Sequence, residues 1–205
     1  SRAQAYRTIA TCLENPAGPV HLNFPFREPL EPSSTTEEIH QTPRHEASTL
    51  QDYKVPFHKL MTPKLQPHPH TITRIASTLD SIKRGIIVCG PQFDSEFPPA
   101  LIALSNKLNY PILADTLSQL RSTPVETGSI IASYDLFLRD PNLITHLSPD
   151  IIIRFGATPT SKSLGQFLDE SRNSYQIIVS ETGWNDPSHI FSEVLRVDPA
   201  LFCNE

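Results

Sequence analysis

The chain has 205 residues, with Lys+Arg 17 against Asp+Glu 22, a formal charge of -5 and a sequence pI near 5.9. That length suits one full domain, or one domain plus a piece of another, and buries roughly 70% of the unfolded surface without a covalent staple. The acidic balance excludes the basic face of a nucleic-acid binder and the polybasic route to an anionic membrane, and no apolar run reaches the ~18 residues of a membrane span. Three cysteines, Cys12, Cys89 and Cys203, are odd in number and widely spaced. They form no disulfide framework and fit a reducing, cytoplasmic compartment. No signal peptide and no Asn-x-Ser/Thr acceptor is present. Proline, at 20 residues, is about twice its ordinary ~5%, and glycine, at 7, is about half its ordinary ~7%. The chain opens at Ser1 and its one methionine is Met61, so the expectation is a processed or excised piece of a longer polypeptide.

Residues 1–14 carry Ala3, Tyr6, Ile9, Ala10 and Leu13 at helical spacing, and Asn15-Pro16-Ala17-Gly18-Pro19 ends the helix. Val20 to Phe24 reads as a short strand, after which Pro25 and Pro29 prevent central pairing. This stub is too small to bury itself and reads, over residues 1–30, as the last helix and strand of a preceding domain. Residues 31–70 read as a Pro-rich linker, since the stretch from 25 to 70 holds eight prolines and no glycine.

From residue 71 the pattern becomes regular. Ile72, Ile75, Ala76 and Leu79 make a helix face; Gly85 to Gly90 is a continuous apolar strand; Phe97 to Leu108 is a helix; Pro111 to Ala114 is a strand. Asp135 to Leu147 has helical spacing broken near Pro141, Asp150 to Phe155 is a strand, Ser161 to Glu170 a helix, Tyr175 to Val179 a strand, and Glu193 to Val197 a last short strand. Strands alternating with helices imply crossover connections, and wholly apolar strands imply two covered faces. The expected fold is a doubly wound, Rossmann-like parallel α/β sheet over residues 71–205.

In such a sheet ligands gather beyond the carboxyl ends of the strands. The loop after Val88 has Gly90 followed by Pro91 and lacks G-x-G-x-x-G, so NAD or FAD binding of the usual kind is disfavoured. Gly156-Ala157-Thr158-Pro159-Thr160-Ser161-Lys162-Ser163 nearly matches the phosphate-binding pattern G-x-x-x-x-G-K-[ST], but Ser161 replaces the second glycine and Pro159 removes a backbone donor. The safer reading is a helix opening at Ser161-Lys162-Ser163, whose free N–H groups and lysine favour a carboxylate or phosphate. Against it stands a capped helix with a solvated lysine. Arg121 offers a bidentate clamp for a carboxylate, against a surface arginine paired with Asp115. His68-Pro69-His70, with His58 nearby, reads as solvated loop rather than metal site. Cys89 reads as a small buried hydrophobe and Trp184 as a packing residue under the last loop.

Several of these segments together resemble a known family. Val20-His21-Leu22-Asn23-Phe24-Pro25-Phe26-Arg27-Glu28-Pro29-Leu30 resembles the junction after the first domain of 2-succinyl-5-enolpyruvyl-6-hydroxy-3-cyclohexene-1-carboxylate (SEPHCHC) synthases. Pro111 to Asp115 with Leu117-Ser118-Gln119-Leu120-Arg121, then Tyr134-Asp135 with Leu138-Arg139, are similar to central-domain motifs of that family. So are Ile153-Arg154-Phe155-Gly156 through Ser161-Lys162, with Leu164 and Phe167, and Trp184-Asn185-Asp186-Pro187. The likeness runs over nearly the whole chain, with the linker weakest.

The resemblance implies a thiamine-diphosphate- and Mg²⁺-dependent transferase of menaquinone or phylloquinone biosynthesis, which decarboxylates 2-oxoglutarate and adds the succinyl-semialdehyde carbanion to isochorismate. It implies three α/β domains per subunit and a homo-oligomer, dimer or tetramer, with this chain as the middle domain plus the last helix and strand of the first. The family's Gly-Asp-Gly signature for diphosphate and metal has no counterpart, because no Gly-Asp pair occurs. The piece alone is therefore expected to be inactive, with no catalytic, cofactor or metal residues of its own. Lys162 matches a family lysine that faces isochorismate, where it would neutralise a carboxylate; in some relatives the next position is arginine, and here it is Ser163. Lys162, Ser161, Ser163 and Arg121 are the substrate-binding candidates. Two other readings stand beside this one. One is a stand-alone module that binds a small anion or nucleotide at residues 156–163. The other is a domain used only for packing.

Overall fold

The computed structural model describes residues 2–14, 16–26, 28, 63–122 and 129–205, in two compact units, Ser1–Pro63 and Lys64–Glu205. In the first unit, α1 (Arg2–Leu13) is the expected helix, closed by a bond from Gly18 N–H to the Cys12 carbonyl at 3.0 Å. Residues 16–26 are neither helix nor strand, which corrects the strand expected at Val20 to Phe24. A strand needs a neighbouring ladder, and no described residue supplies one there. Residues 31–62 of the expected linker, with His58, lie outside the described residues.

The second unit contains α2 (Pro69–Ser81), β1 (Gly85–Cys89), α3 (Phe97–Leu108), β2 (Ile112–Ala114) and β3 (Ile130–Ile131). It continues with α4 (Tyr134–Phe137), α5 (Pro141–His146), β4 (Ile151–Phe155), α6 (Lys162–Glu170), β5 (Tyr175–Val179), β6 (Glu193–Leu195) and α7 (Pro199–Asn204). Local chemistry explains the helix ends. His68 Nδ1 accepts the His70 N–H at 3.2 Å and Pro69 opens α2; Asp140 and Asp198 cap α5 and α7 in the same way, each followed by proline. Asn109, with φ 56°, takes the left-handed conformation that stops α3.

All neighbouring strands are parallel, in the order β3-β2-β1-β4-β5-β6. The chain starts at the centre of the sheet, runs to one edge, returns and runs to the other. That path places helices on opposite faces and leaves a switch point between β1 and β4. The doubly wound reading of the sequence is the observed fold. Alternation along each strand divides the core. Ile87, Cys89, Ile151, Ile153 and Phe155 pack with Phe97, Leu101 and Phe202 on one face. Val88 and Ile152 pack with Tyr134, Leu164 and Phe167 on the other. A slip of one residue would exchange the two sets, so the register is strongly specified.

Gly85 shows why a small residue opens β1: a Cβ there would lie 2.1 Å from the Tyr110 ring. The ring takes that space, and its hydroxyl donates to the Ile82 carbonyl at 2.7 Å. Two elements add to the sequence reading. β3 has two residues, too few for a visible period, and α7 is short but announced by Asp198-Pro199.

Candidate site at the carboxyl edge of the sheet

The switch point is where a doubly wound sheet ordinarily takes a nucleotide. Here its loops bond to each other. Gly90 N–H donates to the Phe155 carbonyl at 2.9 Å, Ala157 N–H to Pro91 at 3.2 Å, and Gln92 N–H to Leu117 at 3.1 Å. A Cβ on Gly90 would stand 1.8 Å from the Ala157 carbonyl oxygen. One on Gly156, which has φ +76°, would stand 2.4 Å from that of Pro91. These glycines serve close approach of one loop to the other. The N–H groups of Gly90, Gln92 and Ala157 are engaged in these bonds, and no group of three or more His, Cys, Asp or Glu among the described residues could hold a metal ion. At these loops the described residues do not fit a thiamine diphosphate or magnesium site.

Beside the closed switch point, β2 ends in Asp115, which is 1% exposed. Its Oδ1 accepts Leu117 N–H at 3.0 Å, and its Oδ2 accepts both the N–H and the hydroxyl of Thr160, each at 2.9 Å. Burial pushes this carboxyl up, but the bonds from Leu117 and Thr160 outweigh it and hold the group below its ordinary value. Asp115 therefore ties the end of β2 to the loop that precedes α6.

At α6, Ser161 is the N-cap, and its Oγ accepts Leu164 N–H at 3.1 Å. The same hydroxyl donates to Asp135 Oδ1 at 2.5 Å. The hydroxyls of Ser161 and Ser163 and the guanidinium of Arg139 keep the Asp135 carboxyl below its usual range. Ser163 is buried, whereas Lys162 is exposed at the first helical position. Ser161, Lys162 and Ser163 thus stand together at the start of the helix, with the Ser161 hydroxyl bonded to the Asp135 carboxylate.

Arg121 lies in a 3₁₀ turn, Leu120–Ser122. Its Nε donates to the Ala114 carbonyl at 2.9 Å, and its guanidinium carbon is 5.9 Å from the centroid of the buried Tyr134 ring. The pairing of Arg121 with Asp115 is not formed: the guanidinium is taken up by the Ala114 carbonyl and the Tyr134 ring, and Asp115 accepts from Leu117 and Thr160. Among the described residues no hydrogen bond or ion pair joins Arg121 to residues 161–163. The fold brings it to the same edge of the sheet, at the end of β2.

A buried ion pair fixes the loop after β5. Arg154, inside β4, donates from Nη1 to Asp186 Oδ1 at 2.8 Å and from Nη2 to the Asn185 carbonyl at 2.9 Å. Asp186 Oδ2 accepts Ile190 N–H at 2.7 Å and Phe191 N–H at 2.9 Å. Burial raises the Asp186 carboxyl, and the Arg154 guanidinium with these N–H groups lowers it further than burial raises it. Trp184 is not under this loop, as expected from sequence, but 75% exposed, with Arg196 4.9 Å from its ring centroid. The anchor beneath the loop is the Asp186 carboxylate, which leaves the indole facing water.

Sequence reading named Ser161, Lys162, Ser163 and Arg121 but missed the bonds that Asp135 makes to Ser161 and Asp115 to Thr160. One signal was visible: an arginine inside the apolar run Ile151-Ile152-Ile153-Arg154-Phe155 requires a buried acceptor. His68 caps α2 and Cys89 is fully buried, its thiol pushed up by that burial. No helix among the described residues is long and apolar enough to cross a membrane.

Residues 49–205 match the model of the family described as the middle domain of thiamine pyrophosphate. The chain is 36% identical over 205 residues to a SEPHCHC synthase from Geobacillus thermodenitrificans, covering 100% of this chain and 33% of that protein. It is 35% identical to the SEPHCHC synthase of Chloroflexus aurantiacus, over 98% of this chain and 33% of that protein. For the SEPHCHC synthase of Haloquadratum walsbyi the identity is 37%, over 97% and 32%. The chain spans about a third of the length of the curated relatives it matches. With a parallel sheet wound on both faces and a family match over most of its length, the chain belongs to the thiamine pyrophosphate middle-domain family.

Proposed function

We propose that this chain is the middle domain of a SEPHCHC synthase, a transferase of menaquinone or phylloquinone biosynthesis. The complete enzyme would decarboxylate 2-oxoglutarate and add the resulting carbanion equivalent to isochorismate, with Mg²⁺ and thiamine diphosphate, as a cytoplasmic homo-oligomer. The likeness to proteins of that name over nearly the whole chain supports the reading. Within it, this domain contributes a carboxylate contact for isochorismate. The observation that carries this role is Lys162, exposed at the first position of a nine-residue helix whose Ser161 cap is itself bonded. There the ammonium and the helix N-terminus both favour a carboxylate.

The test is Lys162→Ala in the complete enzyme. Loss of a hydrogen bond to a charged group predicts a rise of about ten- to a hundredfold in the KM for isochorismate, with that for 2-oxoglutarate unchanged. An unchanged isochorismate KM rejects the role. The 205-residue chain alone, supplied with thiamine diphosphate and Mg²⁺, is expected to release no CO₂ from 2-oxoglutarate. Release of CO₂ would reject the reading of an inactive middle domain.

A further inference from the structure

Lys162 is exposed, and its flexible stem leaves the backbone beneath it as the part the fold can place in advance. That backbone is held from two sides by carboxylates of other elements. Thr160 gives its N–H and its hydroxyl to Asp115 Oδ2, at the end of β2. Ser161 gives its hydroxyl to Asp135 Oδ1, in α4 beyond β3. Of the four residues 160–163, only Lys162 offers its side chain to solvent without such a bond. The clamps do not serve α6 alone. A cap needs one acceptor, which Ser161 Oγ already supplies to Leu164 N–H. The bonds to Asp115 and Asp135 fix where the helix begins relative to the sheet.

The geometry assigns Asp115 and Asp135 as positioning residues that hold residues 160–163 so that the Lys162 ammonium meets the substrate carboxylate. This assignment rests on the reading of Lys162 as the isochorismate contact. Asp115 carries the sharper test. Its oxygens accept from Leu117 N–H, the Thr116 hydroxyl and twice from Thr160. An amide has one acceptor oxygen, so Asp115→Asn leaves either Leu117 or Thr160 facing an NH₂ group. Thr160→Val removes one bond at an exposed side chain and keeps the N–H, so it leaves folding intact.

The experiment is a double-mutant cycle in the complete enzyme, read by steady-state kinetics and by amide hydrogen exchange. Asp115→Asn is expected to raise the isochorismate KM about tenfold and Thr160→Val about threefold, with the 2-oxoglutarate KM unchanged. Asp135→Ala follows Asp115→Asn, and Thr160→Ser, which keeps the hydroxyl, returns the KM to the parent value. Exchange is expected to quicken at residues 157–163 and to stay slow in β1 and β4. On the Lys162→Ala background none of these changes raises the isochorismate KM further. If Lys162→Ala raises KM and the Asp115 and Thr160 effects multiply with it or are absent, the positioning assignment is overturned and the contact role of Lys162 stands. If Lys162→Ala leaves KM unchanged, the contact role fails and the assignment falls with it, whatever the exchange shows.

Discussion

At the scale of residues, the loops at the carboxyl edge are held by charge placed under them. Arg154 is 5% exposed and Asp186 3%. Two ions so enclosed hold together because every group is bonded: the guanidinium reaches a carboxylate and a carbonyl, and the carboxylate also takes two backbone N–H groups. Removing one partner leaves the other buried and uncompensated. Asp186→Ala is therefore expected to cost about 3–5 kcal/mol of folding stability, measured by urea unfolding. An apolar double replacement, Arg154→Met with Asp186→Leu, does not return to the parent value, because Ile190 and Phe191 N–H groups lose their acceptor. A double variant as stable as the parent would show that the two N–H groups find other acceptors. The need for a partner at Arg154 is legible in its apolar strand, but the identity of that partner is not. It lies 32 residues away, and nothing local links the two.

At the scale of elements, glycines at two positions of one segment have opposite meanings. Gly156 lies at φ +76° where a Cβ would stand 2.4 Å from backbone oxygen, so Gly156→Ala meets both strain and collision. It is expected to destabilise by about 1–3 kcal/mol. Gly165 lies inside α6, where an added Cβ would meet nothing within 4 Å. Gly165→Ala is expected to stabilise by about 0.5–1 kcal/mol, since alanine is the better helix former. Thermal unfolding of the two variants should shift Tm in opposite directions, and a shift of the same sign would refute the assignment. Helix boundaries were largely legible because caps and prolines act within a few residues: Ser161, Asp140-Pro141 and Asp198-Pro199 are all visible as signals. The two-residue β3 was not legible, because two residues carry no period. The strand expected at Val20 to Phe24 shows the limit of local propensity, since a strand exists only against a neighbour.

At the scale of the whole molecule, Asp115 and Asp186 make stability depend on pH. Both carboxyls are lower in the folded chain than the ordinary 3.8. As pH falls, the unfolded chain takes up these protons first. Their contribution is thus complete above the ordinary carboxylate range and is lost as pH falls through the lower folded values. The urea midpoint is expected to fall on acidification below about pH 5, and Asp115→Asn should flatten part of that fall. A parent and variant with the same acid limb would remove Asp115 from this account.

The sequence by itself determined the class of fold, the order of the main helices and strands over residues 71–205, with β3 and α7 added by the structure, and the helix start at Ser161-Lys162. Apolar runs, caps and prolines act over a few residues, so one sequence suffices to read them. The tertiary structure alone decided the order of the strands, the closing of the switch point, the clamps on residues 160–163 and the exposure of Trp184. In a parallel sheet, neighbours in space are far apart along the chain. Gly85 pairs with Ile151, and Asp115 meets Thr160 across 45 residues. Which loops touch follows from the handed path of the crossovers and the packing of two apolar faces, and no local pattern records it.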